Sequence, residues 1–270
     1  MFIFNYKLLR GGEKIELLKV IILGVVQGLT EFLPVSSSGH LVIFQHLLQI
    51  NAEALTLEVF LHFGTLIAVV IVYWQDIVEI ITFKAEYRRF TYYILLGSVP
   101  AGVIGILYKD QIEAAFSSVK VVGFMLIITG ILLWLSDRVQ NQEREMEEMT
   151  IIDSIAVGTA QAFAILPGVS RSGSTIIAGL FKGLERKLAA KYSFILSIPV
   201  IGGATLLQVF DLAREGFGVF GPLELISGTL AAAISGYFAI KLLVKLVNQE
   251  QLSVFAYYCW VLALIIILFF

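Results

Sequence analysis

Charge is what this chain has least of: 15% of its 270 residues are Asp, Glu, Lys or Arg, against 58% hydrophobic. That ratio, with a mean hydropathy of +0.89, excludes an ordinary soluble core beneath a charged coat. Cysteine is scarcer still. The one thiol, Cys259, lies in an apolar segment, so neither an internal disulfide nor a Cys-rich zinc centre can be built. A net charge of -2 gives no footing for a nucleic-acid partner or a polybasic membrane anchor. The opening MFIFNYKLLRGGEKIE lacks a simple apolar run ending in a small-residue cleavage site, and reads as a retained interfacial segment. What remains is an all-α, polytopic membrane protein.

Crossing the hydrocarbon takes about twenty mostly apolar residues, and the sequence predicts about six full spans. They are Thr56–Trp74, Phe90–Tyr108, Val119–Ser136, Leu188–Phe210, Leu223–Val247 and Val254–Phe270. Two further stretches, Leu17–Ile50 and Ile151–Leu184, are broken near their middle by QGLTEFLPVSSSGH (Gln27 to His40) and LPGVSRSGST (Leu166 to Thr175). Each reads as a re-entrant helix pair. Non-helical backbone at membrane depth is tolerated only where protein buries it or a wet cavity is lined by it, so a cavity is expected at both breaks.

The breaks resemble each other without gaps: Gly24 falls on Gly158, Gln27 on Gln161, Ser36 on Ser170, Ser38 on Ser172 and Gly39 on Gly173. At nearly the same offset GSVPAGVIG (Gly97 to Gly105) meets GTLAAAISG (Gly228 to Gly236). The expectation is one membrane domain made of two halves, residues 17–136 and 151–270, joined by a charged linker at 137–149. An odd number of crossings per half makes them an inverted-topology repeat. Lys and Arg are in modest excess on the linker side, which is therefore expected to be cytoplasmic.

Polar chemistry concentrates at the two breaks. Pro34 disfavours helix at Leu33, and Ser36, Ser37 and Ser38 can start a new helix whose N–H groups favour an anion. His40 shares a helical face with Ser36 and Ser37, giving a hydroxyl nucleophile and a base within reach. Glu31 lies one turn after Gln27, and the two can offer oxygens to magnesium or calcium. Arg171 stands alone as a cation deep in an apolar segment, flanked by Ser170, Ser172, Ser174 and Thr175. Each also has a plainer role: the serines as helix caps, Glu31 and Arg171 as a neutralising pair, and His62 and His46 as structural histidines. Their confinement to the two breaks favours a site.

These motifs resemble those of the undecaprenyl-diphosphate phosphatase family of bacteria, the bacitracin-resistance type. Its signatures are a Glu-or-Gln, three residues, Glu motif running into PVSSxGH, and PGxSRSxxT; the resemblance extends from about Leu17 to the end. It implies a multi-pass enzyme of the bacterial cell membrane that removes one phosphate from undecaprenyl diphosphate, recycling the carrier lipid for peptidoglycan synthesis, with a divalent cation, Mg2+ or Ca2+. It implies catalytic roles for Glu31, Ser37, His40 and Arg171, and substrate binding by Gln27, Ser36, Ser38, Ser170, Ser172 and Thr175. Glu31 would hold the cation, with Gln27 as the second ligand, weaker than a carboxylate. The attacking group is Ser37, His40 or a water. Partners are the lipid diphosphate and membrane lipids, with a homodimer compatible. Two rival readings stand beside it: a type-2 phosphatidic acid phosphatase, whose SRxxxxxHxxxD motif SRSGSTIIAGLF lacks, and a transporter or flippase of phosphorylated polyprenyl lipid, since inverted repeats with broken helices suit that class too.

Overall fold

The computed structural model describes residues 6–50, 55–116, 118–215 and 220–269, and within these every regular element is helical. The first break separates α1 (Tyr6–Phe32) from α2 (Ser37–Leu48). Then follow α3 (Leu55–Val72), α4 (Trp74–Ile81), α5 (Arg88–Leu107), α6 (Lys109–Phe116) and α7 (Val119–Ser136). After the linker, α8 (Ile151–Phe163) and α9 (Arg171–Phe181) flank the second break. α10 (Arg186–Glu215), α11 (Pro222–Asn248) and α12 (Ser253–Phe269) complete the chain.

The helices fall where the apolar runs predict, with three differences. α1 starts at Tyr6, well before the expected Leu17. The first expected span ends at Val72, and the chain bends by 86° into the short α4. α12 has 17 residues, so among the described residues four helices are long and apolar enough to cross a membrane, or five if the bent α3–α4 pair is one span.

Each break has a local cause. Pro34 carries no N–H and restrains Leu33, so α1 stops at Phe32. In the second break Gly168 has φ +93°, and a Cβ there would lie 2.5 Å from the Val122 carbonyl oxygen of α7. Only glycine fits that turn. Thr129 of α7 donates to the Gly168 carbonyl (3.0 Å) and accepts from the Ser170 N–H (3.1 Å), so the irregular backbone is satisfied by protein.

Packing is inside-out relative to a soluble protein. Gln27, Glu31, His40, Gln161, Ser172, Thr175 and Ser193 are buried, while Leu95, Ile106, Phe210, Ile234 and Phe269 are exposed. With hydrocarbon outside, association relies on close backbone approach at small residues. Gly24 of α1 meets Gly228 of α11, and Gly158 of α8 meets Gly97 of α5. The linker is tied down as well: Arg144 binds Asp153 at 2.7 Å and exchanges backbone hydrogen bonds with Gly183 and Glu185 (3.0 and 2.9 Å).

Candidate active site

The two breaks touch. A Cβ on Gly173 would lie 3.2 Å from the Pro34 Cβ, and one on Gly39 would lie 3.7 Å from the Gly168 Cα. Both outgoing helices are capped the same way. The Ser36 hydroxyl accepts from the Gly39 N–H (3.3 Å) and bonds Ser38 (3.2 Å); the Ser170 hydroxyl accepts from the Gly173 N–H (3.1 Å) and bonds Ser172 (3.3 Å). Of the predicted ligands, Ser36, Ser38, Ser170 and Ser172 thus serve first as caps, leaving the other early N–H groups of α2 and α9 without intrahelical acceptors. Ser36 does so at φ 68° and ψ 97°, a conformation that costs a non-glycine residue about 1–3 kcal/mol.

Glu31, 6% exposed, is the hub. Its Oε1 accepts from Arg171 Nη2 at 2.7 Å, uniting the last turn of α1 with the first of α9. Its Oε2 accepts from the Ser37 hydroxyl at 2.6 Å and from Gln27 Nε2 at 3.1 Å. Arg171 also donates to the Ser193 carbonyl of α10 (3.4 Å), while its buried Nε has no protein acceptor. Thr175 donates to the Arg171 carbonyl (2.8 Å) and bonds the Ser193 hydroxyl (2.5 Å), bracing that turn.

The expected Ser37–His40 pair is replaced. Ser37 is bonded to Glu31, whereas His40 donates from Nδ1 to the Ser36 carbonyl (2.8 Å) and its Nε2 is bonded to the Tyr258 hydroxyl of α12 (2.6 Å). Both residues start at one end of α2, but their side chains find nearer partners.

Residues 20–265 match the family model described as bacitracin resistance protein BacA. The chain belongs to the BacA family. An undecaprenyl-diphosphatase of Halothermothrix orenii is 54% identical to it over 94% of this chain and 98% of the relative. Proteins with the same name from Alkaliphilus metalliredigens and Methanobrevibacter smithii are 43% and 42% identical, each over 93% of this chain and 98% and 96% of the relative. Both breaks lie within the BacA match.

This BacA-family chain also brings to the site residues that the motifs do not mark. His62 of α3 places Nε2 3.9 Å from Glu31 Oε2; read in sequence it is one polar residue in an apolar run, and only its being ionisable within a span pointed further. Tyr258 and Ser193 carry no such signal. Beyond His62, α3 and α10 enclose an apolar groove of about 290 Å³ walled by Val59, Phe60, Phe63, Leu66, Leu206 and Val209.

Among the described residues no three His, Cys, Asp or Glu side chains gather to hold a metal ion. The donor set nevertheless fits a cation that takes most ligands from phosphate, as Mg2+ commonly does. Glu31 supplies a carboxylate, and the buried Gln27 Oε1 has no donor among the protein groups.

Proposed function

We infer that this chain is an integral membrane phosphatase converting undecaprenyl diphosphate to undecaprenyl phosphate and inorganic phosphate, returning the carrier to cell-wall polymer synthesis. The observation that carries this reading is the Glu31–Arg171 contact, which joins the last turn of α1 to the first turn of α9, and so the two motifs, inside an apolar body. The name shared by the relatives supports the same hydrolysis.

Arg171 is the phosphate clamp: its planar fork and unpartnered Nε suit the oxygens of a terminal phosphate. The first N–H groups of α2 and α9 add positive dipole ends to the same place. Ser37 is the attacking group, because its hydroxyl hydrogen already points at a carboxylate 2.6 Å away. Its oxygen bonds the terminal phosphorus, the anhydride bond breaks, undecaprenyl phosphate leaves, and the Ser37 proton passes to Glu31. Glu31 releases that proton to solvent; water then attacks the phosphoserine, passing a proton by way of Glu31 to the Ser37 oxygen as the Oγ–P bond breaks, which restores the hydroxyl and frees phosphate. His40, held between Ser36 and Tyr258, fixes the strained turn that presents Ser37. Glu31 and Gln27 would hold a divalent cation, which when bound would supply charge neutralisation; with positioning, that is most of what phosphoryl transfer needs. The isoprenoid tail lies in the apolar groove between α3 and α10.

The architecture proposed with it is an inverted repeat of residues 17–136 and 151–270, in a bacterial inner membrane. The paired caps and the reciprocal contacts Gly24–Gly228 and Gly158–Gly97 support it, since the sequence alignment exchanges one contact with the other. A homodimer is compatible with this arrangement. No specific contact favours the flippase alternative over hydrolysis. Purified protein in detergent, with no gradient, is expected to release phosphate from undecaprenyl diphosphate in the presence of Mg2+ or Ca2+; no release with either would refute the reading.

A further inference from the structure

His62 takes no part in the reaction as described, yet its geometry is specific. Nδ1 donates to the Glu58 carbonyl one turn earlier on α3 (2.8 Å), so the ring is fixed and Nε2 is the nitrogen turned to Glu31. The 3.9 Å between Nε2 and Glu31 Oε2 is too long for a hydrogen bond. As an imidazolium, His62 would aim an N–H that the carboxylate is too far away to accept; as a neutral ring, it aims a lone pair at a carboxylate oxygen. Two donors each about 2.1 Å from one ion stand at most about 4.2 Å apart, so an ion bridging them fits the observed gap. A metal-ligating histidine commonly has its second ring N–H held by a backbone carbonyl, as His62 Nδ1 is here. A third donor is available in the Gln27 amide oxygen, buried without a partner; Gln27 Nε2 now lies 3.1 Å from Glu31 Oε2, so the amide turns over to bring its oxygen beside the carboxylate.

We propose that His62 Nε2, Glu31 Oε2 and Gln27 Oε1 form a mixed nitrogen and oxygen site for the divalent cation. The proposal rests on the phosphatase reading only for its cation, and it changes the preference expected of that cation. Carboxylate and amide oxygens alone suit Mg2+, Ca2+ and Mn2+, whereas an added imidazole shifts selectivity toward Zn2+ and Ni2+. It also gives Gln27 a reason to work where a carboxylate would otherwise be wanted, since the nitrogen from α3 makes up the missing ligand.

The test uses Mn2+ alone as probe, added to the full chain purified in detergent without lipid substrate. Pulsed paramagnetic resonance is expected to show nitrogen coupling from a directly bound imidazole, altered when the histidines carry 15N. H62Q should lose the coupling and bind Mn2+ about tenfold or more weakly. Should H62Q fail to fold, coupling retained in both H40Q and H46Q makes the same assignment by elimination. Bound Mn2+ without nitrogen coupling, coupling retained in H62Q, or no Mn2+ binding overturns the proposal. Phosphate release from undecaprenyl diphosphate, measured on the same preparation, keeps the two readings apart. Release without nitrogen coupling discards His62 as a ligand and leaves the phosphatase. Coupling without release under Mg2+, Ca2+ or Mn2+ leaves the metal site and discards the phosphatase.

Discussion

Replacing Arg171 with alanine perturbs stability and chemistry together, and the structure says how to separate them. The guanidinium and Glu31 are 14% and 6% exposed and 2.7 Å apart, so deleting one partner leaves a buried charge uncompensated, at about 3–5 kcal/mol. Ser37 and Gln27 still donate to Glu31 Oε2, which places the expected loss near the lower end. Catalysis loses the clamp on the transferring phosphoryl group, a change of about 10³-fold or more in rate. R171A is therefore expected to be both less stable and inactive. R171M combined with E31Q removes both charges and should recover most of the stability, since an apolar replacement of a buried pair is often neutral, while remaining inactive. R171K keeps the charge but not the fork and should retain a small residual rate. The assays are thermal unfolding in detergent and phosphate release. A normal rate in R171A, or a double variant no more stable than R171A, would refute the reasoning.

Ser37→Ala should lower phosphate release by about 10³-fold or more, and rapid quench of the unmutated enzyme in detergent denaturant near neutral pH, where phosphoserine and phosphohistidine both survive, should place phosphate from labelled lipid diphosphate on Ser37; label on His40 would reassign the nucleophile. Tyr258→Phe removes the hydroxyl from His40 Nε2 (2.6 Å) and should cost about 1 kcal/mol in stability with a rate loss smaller than that of S37A; an unchanged enzyme would show that the contact does nothing. Gly158→Ala drives a methyl group into the Gly97 backbone and should destabilise by about 1–3 kcal/mol, read as a lower unfolding temperature, whereas Gly102→Ala, at a position with open space around it, should not.

The positions of the helices and of both breaks were legible because lipid makes simple demands: long apolar runs must be helical, and Pro34 or Gly168 must interrupt them. The convergence of Glu31 with Arg171 was legible too, since two opposite ionisable groups in apolar segments can scarcely afford to stand apart. Side-chain partnerships were not. Helical periodicity put His40 and Ser37 on a common face, but it carries no information on α12, whose Tyr258 engages the imidazole, or on the reach of Glu31 across the break to Ser37. For the same reason His62 reads in sequence as a structural histidine, and its approach to Glu31 follows only from the packing of α3 against α1. The bend at Tyr73 likewise lacks a proline or glycine to announce it.

On the proposed repeat, the two motifs have kept their caps and exchanged their chemistry. Ser36 aligns with Ser170, Ser38 with Ser172 and Gly39 with Gly173, and each set makes the same three-residue cap. Between the caps the residues differ: Ser37 aligns with Arg171, Glu31 with Ile165 and His40 with Ser174. A phosphoryl transfer site needs an oxygen nucleophile on one side of phosphorus and positive charge around its oxygens, a polarity that two identical motifs related by a twofold axis could not provide. Placing the carboxylate, hydroxyl and histidine in one motif, across the break between α1 and α2, and the guanidinium at the start of α9 in the other breaks that symmetry at the reacting centre while leaving the proposed repeat of the scaffold in place. Gln161 is what remains on the far side: the mate of Gln27, buried, with neither side-chain atom partnered by protein. Its i+4 neighbour is Ile165 rather than a glutamate, so the second half retains the amide without the carboxylate that would give it a task, and it contributes to the shared site through Arg171 instead.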